Sequence, residues 1–165
     1  MLRCRACLFQ TTCTLLNDDS SEKKMEYKVI NLKTIDSGYA GKLSFFEGTR
    51  DFPFEIKRFY YIHGVPNGSQ RGGHAHRQLR QMLFCPYGSI EILLDDSIEK
   101  VSVLLDDPSK GLVIGPGLWR DMVWHQEDSV LCVAASEFYD EKDYIRSYDA
   151  FLQYKKSQKG ESANG

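Results

Sequence analysis

The sequence predicts an all-β fold, a sandwich or small barrel, that ends in one short helix. From Met25 onward, short runs rich in apolar and β-branched residues follow one another at nearly regular spacing. Clusters of Gly, Pro, Asn and Asp separate these runs, as in Pro66-Asn67-Gly68 and Gly115-Pro116-Gly117. Such clusters form tight turns, because these residue types adopt the backbone angles that turns require. The regular spacing ends only near the C-terminus, where a helical pattern replaces it.

Ten segments carry the strand pattern, and turn signals separate most of them. In chain order they are Tyr27–Leu32, Lys42–Glu47, Ile56–His63, Gly73–Arg77, Gln81–Tyr87, Ser89–Leu94, Ile98–Leu105, Leu112–Ile114, Leu118–Trp124 and Val130–Ala135. The segment from Asp143 to Lys156 lacks such punctuation and is predicted to form the C-terminal helix.

The folded domain is predicted to span residues 25–157, followed by a disordered tail over residues 158–165. Residues 1–24 are predicted to be a flexible extension, because residues 17–24 form a polar run of Asn, Asp, Ser, Glu and Lys. Polar residues interrupt the apolar stretch before that run and no small-residue cleavage site follows, so no secretion signal is predicted. No segment reaches the ~18 uninterrupted apolar residues of a membrane helix. We therefore expect a cytoplasmic protein without a membrane partner.

The composition narrows the range of partners and sites. The chain has 165 residues, 21 Lys and Arg and 23 Asp and Glu, with a net charge of -2 and no basic stripe. A nucleic-acid partner is therefore not expected. Cys85 and Cys132 lie in apolar runs, which predicts buried free thiols. Cys4 and Cys7 have the spacing of a zinc knuckle, but no second ligand pair follows, so no zinc site is expected there.

Two of the four histidines, His74 and His76, lie two residues apart in a segment predicted to be a strand. Alternate side chains of a strand share a face, so the two imidazoles should point the same way while Ala75 points the other way. Two neighbouring imidazoles suit either a metal site or proton transfer. The pair is therefore the first candidate for a functional site.

The segment around Arg58 and Tyr60 is apolar or aromatic on both faces. Arg58 and Tyr60 share one face of the predicted strand, whereas Phe59 and Tyr61 share the other. A strand of this kind is expected to be covered on both sides, one of them by a second subunit. A guanidinium and a phenol are costly to bury unless they have a polar role, which makes Arg58 and Tyr60 candidates for the site of the histidines.

The spacing Gly68-x5-His74-x-His76, followed by Gln81 and Gly88, resembles the first motif of the cupin superfamily. Metal-binding cupins carry Glu where this chain has Gln81, and a later histidine completes their site. Here Arg120 and Asp121 stand at that later position. Two histidines and an amide are too few ligands for a typical zinc site, so we expect no metal and favour proton transfer.

Four ordered blocks within residues 27–152 resemble a narrower family, the dTDP-sugar 3,4-ketoisomerases. The blocks are Pro53-Phe54-x-Ile56-Lys57-Arg58-x-Tyr60-Tyr61-Ile62, Arg71-Gly72-x-His74-Ala75-His76, Gly111-Leu112-x-Ile114-Gly115-Pro116-x-x-Trp119 and Tyr139-Asp140-Glu141-x-Asp143-Tyr144-Ile145-Arg146-x-Tyr148-Asp149. The resemblance implies a cupin-type double-stranded β-helix (jelly roll) that forms a homodimer with exchanged strands. It also implies conversion of dTDP-4-keto-6-deoxyglucose to a dTDP-3-keto-6-deoxyhexose without metal or organic cofactor.

The resemblance and the chemistry of the side chains together suggest roles. His74 is expected to remove the proton from C3, because imidazole titrates near neutral pH. By resemblance Tyr60 lies close to His74 and orients it or donates a hydrogen bond to the enediolate. His76 is expected to be the acid at C4 or a polar partner. The expected substrate-binding residues are Arg58 and Arg71 for the diphosphate, Trp119 and Arg120 for nucleotide or sugar, and Gln81.

Several alternatives remain open at this stage. A metal-dependent cupin enzyme would need a third ligand such as His125, and a noncatalytic cupin would only bind the nucleotide sugar. Tyr144, Arg146 and Tyr148 are expected to brace the C-terminal segment rather than to enter the site. The loop around Tyr39 leaves both the gluco and the galacto product possible at C4.

Overall fold

The computed structural model describes residues 25–162 of the chain. The predictions about residues 1–24, including the flexible extension and the Cys4–Cys7 pair, lie outside these residues. The predicted all-β fold with one C-terminal helix is confirmed. Its strands form two five-stranded antiparallel sheets and one two-stranded hairpin.

The first sheet, here called sheet A, has the strand order β1-β9-β6-β11-β4. Its strands are β1 (Tyr27–Asn31), β9 (Lys110–Ile114), β6 (Gln81–Tyr87), β11 (Val130–Ala135) and β4 (Arg58–Ile62). Strands β6, β9 and β11 are mostly buried, as expected for strands covered on both faces, whereas the edge strands β1 and β4 are half-buried to exposed.

The second sheet, sheet B, has the order β12-β5-β10-β7-β8. Its strands are β12 (Tyr144–Ile145), β5 (Gln70–His76), β10 (Trp119–Trp124), β7 (Ile90–Asp95) and β8 (Lys100–Leu105). Side chains from both sheets meet in one apolar core. Its most deeply buried members include Leu83, Leu112 and Leu131 from sheet A and Ile92, Leu94 and Trp124 from sheet B.

Strand β5 begins earlier than predicted and contains a bulge beside the histidine pair. Arg120 on β10 pairs with His74, but the next residue, Asp121, pairs with Gly72, so Gly73 is skipped. At Gly72 the backbone has φ 107°, and a Cβ atom would lie 2.6 Å from the carbonyl oxygen of Arg120. Glycine therefore allows β5 and β10 to approach closely at the point where the histidines begin. Bulges of this kind redirect side chains and are common next to active sites.

The C-terminal helix α1 spans Tyr148–Ser162, so the predicted start at Asp143 is wrong. Residues Glu141–Asp143 form a short 3-10 turn, and Tyr144–Ile145 pair with β5 as strand β12. Pairing with an available sheet edge therefore outweighs the local helical pattern. The helix also continues past residue 157, the predicted end of the folded domain. No helix within residues 25–162 is long and apolar enough to cross a membrane.

The hairpin of β2 (Lys33–Asp36) and β3 (Lys42–Phe45) belongs to neither main sheet. The sequence pattern missed β2, which is four residues long and exposed throughout. Ile35 and Leu43 on this hairpin expose more than half of their surface. The hairpin therefore presents apolar side chains that the described residues of this chain leave uncovered.

Candidate active site

The structure brings His74 and His76 together near the end of β5. Their ring centroids are 5.0 Å apart and the rings are perpendicular. Ala75 points the other way, as predicted, and packs against Ile145 and Phe151 on the far side of the sheet. His74 is half-buried, whereas His76 keeps only 1% of its surface exposed. The pair therefore lies largely inside the domain.

Arg120 lies directly across the strand pair from His74. Only 2% of its surface is exposed, and none of its three guanidinium nitrogens has a hydrogen-bond partner among the described residues. Burial lowers its pKa to about 10, so the side chain is still charged at neutral pH. An unpaired buried charge is strongly unfavourable in a folded protein. Such a group is a candidate contact for an anionic or strongly polar ligand atom.

Sheet A contributes a second set of polar groups. Gln81 Nε2 donates a hydrogen bond to the hydroxyl oxygen of Tyr60 at 2.8 Å. The Gln81 Oε1 atom and the Arg58 Nε atom are buried and have no partner in residues 25–162. The Arg58 guanidinium carbon lies 5.3 Å from the centroid of the Tyr60 ring. Buried polar atoms are nearly always hydrogen-bonded, so the unpartnered atoms of Arg58, Gln81 and Arg120 make this part of the domain a candidate binding site.

The charges of the site shift the pKa values of its titratable groups. Burial, and after it the positive charge of Arg120, lowers the pKa of His74 to about 4. The same two causes, in the same order, hold the pKa of His76 far below its ordinary value. Burial raises the pKa of Tyr60, and Arg120 opposes that shift. Both imidazoles are therefore neutral at pH 7, and the phenol is protonated.

Tyr144 belongs to the site, although the sequence suggested only a bracing role. It is the pairing partner of His76 across β12 and β5. Its ring centroid is 4.2 Å from that of His76 and 5.1 Å from that of His74. The guanidinium carbon of Arg146 lies 4.3 Å from the centroid of the Tyr144 ring. Tyr144 thus covers the histidine pair, and Arg146 covers Tyr144.

Asp143 is a second residue that the sequence did not single out for the site. Its Oδ2 atom is 2.8 Å from His76 Nδ1. Its Oδ1 atom accepts hydrogen bonds from the backbone N–H groups of Arg77 and Gln78, at 3.1 Å and 2.8 Å. A single carboxylate therefore connects the buried imidazole to the chain that follows β5.

Three residues considered from the sequence are not brought to this cluster. Arg71 is exposed on β5 across from Met122, before the bulge. Trp119 packs against Tyr148 and Phe151 of α1, because neighbours on a strand face opposite ways and Arg120 faces inward.

His125 is exposed and bound to Glu91. It lies five residues beyond Arg120, about 16 Å along an extended chain.

The described residues contain no group of three or more His, Cys, Asp or Glu placed to hold a metal ion. His125 does not supply the third ligand that the metal-dependent alternative needs, because it binds Glu91 at 3.0 Å. The groups beside the histidines are instead Arg120 and Tyr144, and Tyr60 lies within electrostatic range of Arg120. This donor set suits proton transfer next to an oxyanion rather than metal coordination.

Comparison with known proteins identifies the family. The family model described as FdtA, WxcM-like, C-terminal, matches residues 25–156. The chain belongs to this family. The matched span includes every residue of the site, from Arg58 to Arg146.

Individual relatives agree with the family match. The chain is 45% identical over 130 residues to the TDP-4-oxo-6-deoxy-alpha-D-glucose-3,4-oxoisomerase of Aneurinibacillus thermoaerophilus, covering 79% of this chain and 93% of that enzyme. It is 44% identical to a mutant of the 3,4-ketoisomerase QdtA from Thermoanaerobacterium thermosaccharolyticum, solved in complex with TDP-4-keto-6-deoxyglucose. That comparison has a TM-score of 0.76 and covers 79% of this chain and 94% of that one.

A more distant neighbour extends the comparison of the fold. The RmlC epimerase of Mycobacterium tuberculosis matches with a TM-score of 0.63 at 17% identity, over 72% of this chain and 66% of that one. The cupin-type jelly roll predicted from the sequence is therefore confirmed.

Proposed function

We propose that the chain is a TDP-sugar 3,4-ketoisomerase that converts TDP-4-keto-6-deoxyglucose to a TDP-3-keto-6-deoxyhexose by proton transfer. The observation that carries the proposal is the pair of neutral histidines beside the unpaired, buried guanidinium of Arg120. Relatives with 44–45% identity bear the name of this activity or bind its substrate. A cytoplasmic location is part of the proposal, since the substrate is a soluble nucleotide sugar.

The reaction needs groups of the kind that the site provides. The C4 ketone acidifies the hydrogen on C3, and His74 as a neutral imidazole removes that proton. The bonding electrons then move onto the C4 oxygen and form an enediolate. Arg120 lies opposite His74 on the neighbouring strand and stabilises this oxyanion. The proton returns to C4, the hydroxyl proton of C3 is lost, and the C4 oxygen is protonated, so the ketone now lies at C3.

The remaining polar groups are assigned to substrate binding. Arg58 lies between Tyr60 and Tyr139, 5.3 Å and 5.6 Å from the two ring centroids. Arginine can bind a diphosphate through two parallel hydrogen bonds, and the free Nε atom of Arg58 is available for one of them. Tyr60 and Gln81 hold each other in place and present the Gln81 carbonyl oxygen to a hydroxyl of the sugar. Arg71 and Trp119 are not needed for these contacts.

A direct test follows the substrate by NMR in deuterated water with chelator-treated enzyme. We expect a 3-keto product that carries deuterium at C4. Because imidazole catalysis needs no metal, the rate should not change with chelator. If the protein binds the sugar without isomerisation or exchange, it is a binding module. If chelator abolishes turnover and zinc or iron restores it, the enzyme is metal-dependent.

The proposal includes a homodimer that covers the outer face of β4. Phe59 and Tyr61 point away from the core on this edge strand and expose 53% and 61% of their surfaces. The exposed strip continues an apolar cluster around Phe84, whose ring centroid is 6.5 Å from that of Phe59. The β2–β3 hairpin pairs with neither main sheet and is free to exchange with a second copy. Large exposed apolar patches of this kind mark interfaces.

The dimer is tested by the double substitution Phe59→Asp and Tyr61→Asp. We expect light scattering to give the mass of a dimer for the wild type and of a monomer for the variant, because the two charges would be buried in the interface. Leu104→Asp is the matched control, since Leu104 is 49% exposed on sheet B, away from β4. A wild-type monomer at micromolar concentration would refute the dimer, as would a double variant that remains dimeric.

A further inference from the structure

We propose that Asp143 is a positioning residue that holds His76 as the tautomer protonated on Nδ1. The second ring nitrogen, Nε2, is then unprotonated before the substrate binds. This inference rests on the proposed isomerase activity and adds a positioning residue to it.

The hydrogen bonds of Asp143 fix which of its oxygens meets the imidazole. Oδ1 already accepts two backbone N–H groups, from Arg77 and Gln78. Oδ2 is therefore the atom that faces His76 Nδ1, at 2.8 Å. An ionised carboxylate can only accept hydrogen bonds, so the hydrogen between the two groups belongs to Nδ1. In a neutral ring the second nitrogen then carries a lone pair.

The surroundings of His76 prevent the ring from adopting another arrangement. Asp143 ends the 3-10 turn, and its backbone carbonyl accepts the N–H of Arg77 at 3.0 Å. The next residue, Tyr144, pairs with His76 and packs its ring 4.2 Å away. Because the imidazole is almost fully buried, a ring flip would leave Nδ1 and the Oδ2 atom of Asp143 without partners. The tautomer is therefore set by the fold before the substrate binds.

The tautomer set by Asp143 suits the proton that moves between oxygen atoms in the proposed reaction. In the keto shift one proton moves from C3 to C4, and a second moves from the C3 oxygen to the C4 oxygen. His74 carries the first proton. Nε2 of His76 accepts the second from the C3 hydroxyl, and Asp143 stabilises the imidazolium that forms. The imidazolium then gives the proton to the C4 oxygen, so both histidines end the cycle neutral.

The substitution Asp143→Asn tests the inference. The amide oxygen can still accept the two backbone N–H groups, so the amide NH2 must face His76 Nδ1 and donate to it. This forces the ring hydrogen onto Nε2 and removes the proton acceptor. We expect kcat to fall roughly 10²- to 10⁴-fold with little change in KM, because the imidazole loses its proton-accepting nitrogen. Ring 15N spectra should show the hydrogen on Nδ1 in the wild type and on Nε2 in the variant.

Asp140→Asn is the matched control. Asp140 lies in the same loop and accepts a backbone N–H from Lys142, but it does not contact a histidine. We expect this variant to keep the wild-type kcat and the wild-type ring spectrum. The signals of His76 are assigned by their loss in His76→Gln.

Two results would overturn the inference. One is a wild-type His76 that carries its hydrogen on Nε2, which is measured without any variant and does not depend on the stability of Asp143→Asn. The other is an Asp143→Asn enzyme with the inverted tautomer and unchanged kcat. Failure of the proposed function is distinguishable, because the wild type would then not isomerise the sugar whatever its tautomer.

Discussion

His74→Asn is expected to lower kcat by roughly 10²- to 10⁴-fold, which is the range of a general acid or base. Asparagine is polar and fits the space but cannot take the C3 proton at neutral pH. The residue lies half-buried with Arg120 opposite it, so no other base replaces it from solvent. The rate is measured by NMR in the steady state at saturating nucleotide sugar, and exchange of the C3 hydrogen with solvent should be lost together with product formation.

The pH dependence of kcat/KM in the wild type is a second test of His74. A base with a pKa lowered to about 4 is deprotonated above that pH, so kcat/KM should hold at pH 5–6 and fall only as the pH approaches 4. An unperturbed histidine would already be half protonated near pH 6.5. The charged groups that act on His74 are Arg120 and Arg146, which lower its pKa, and Asp121, which raises it. The net direction is downward because burial adds to the two arginines.

His125→Asn is the control for His74→Asn. His125 is exposed and bound to Glu91, away from the pair. Its replacement should leave kcat within about twofold of the wild type, as is usual for an exposed residue. If His125→Asn abolished activity instead, the metal-dependent reading would regain support. If His74→Asn kept most of its activity, the assignment of the base would be wrong.

The alternation of side chains along a strand predicts part of the candidate site from the sequence. The shared face of His74 and His76 follows from alternation along a strand, which needs no knowledge of the fold. The same rule shows that Trp119 and Arg120 cannot both face the barrel, and the structure puts Trp119 against α1. Alternation alone therefore separates two residues that the sequence analysis groups as substrate contacts.

Asp143 and Tyr144 could not be found in this way. Their contacts with His76 join positions 67 and 68 residues apart, and they depend on the pairing of β12 with β5. Nothing in the local sequence fixes that pairing, since the periodic pattern of the segment predicts a helix. The density of polar and aromatic residues from Tyr139 to Arg146 was the available signal. It indicates that such a segment borders a site, but not which atoms meet.

Arg120→Met is expected to lower kcat by about 10²- to 10³-fold, the typical effect of losing one donor to an oxyanion. Methionine keeps the length of the stem and removes the charge. Because Arg120 is the largest charge that lowers the pKa of His74, the acid limb of the pH profile should also move to higher pH in this variant. That shift is measurable in kcat/KM between pH 4 and 7.

The same substitution should make the folded protein more stable. The three guanidinium nitrogens are buried and make no hydrogen bond within residues 25–162, so the native state bears the cost of desolvating them. Replacing them with an apolar stem should raise the free energy of unfolding by about 1–3 kcal/mol, measured by urea denaturation. Arg50→Met is the control, because Arg50 is exposed and forms a surface ion pair with Glu47. Arg50→Met should change neither kcat nor the free energy of unfolding.

Opposite changes in stability and activity would separate a catalytic charge from a structural one. If Arg120 held the sheets together, its loss would lower stability, and activity would fall only as far as folding failed. If it serves the oxyanion, the folded protein bears an unfavourable group that becomes useful when the substrate oxygen arrives, as is common at active sites. A less stable Arg120→Met enzyme with normal turnover per folded molecule would refute the catalytic role of Arg120. A more stable enzyme that has lost turnover would place the positive charge in the reaction.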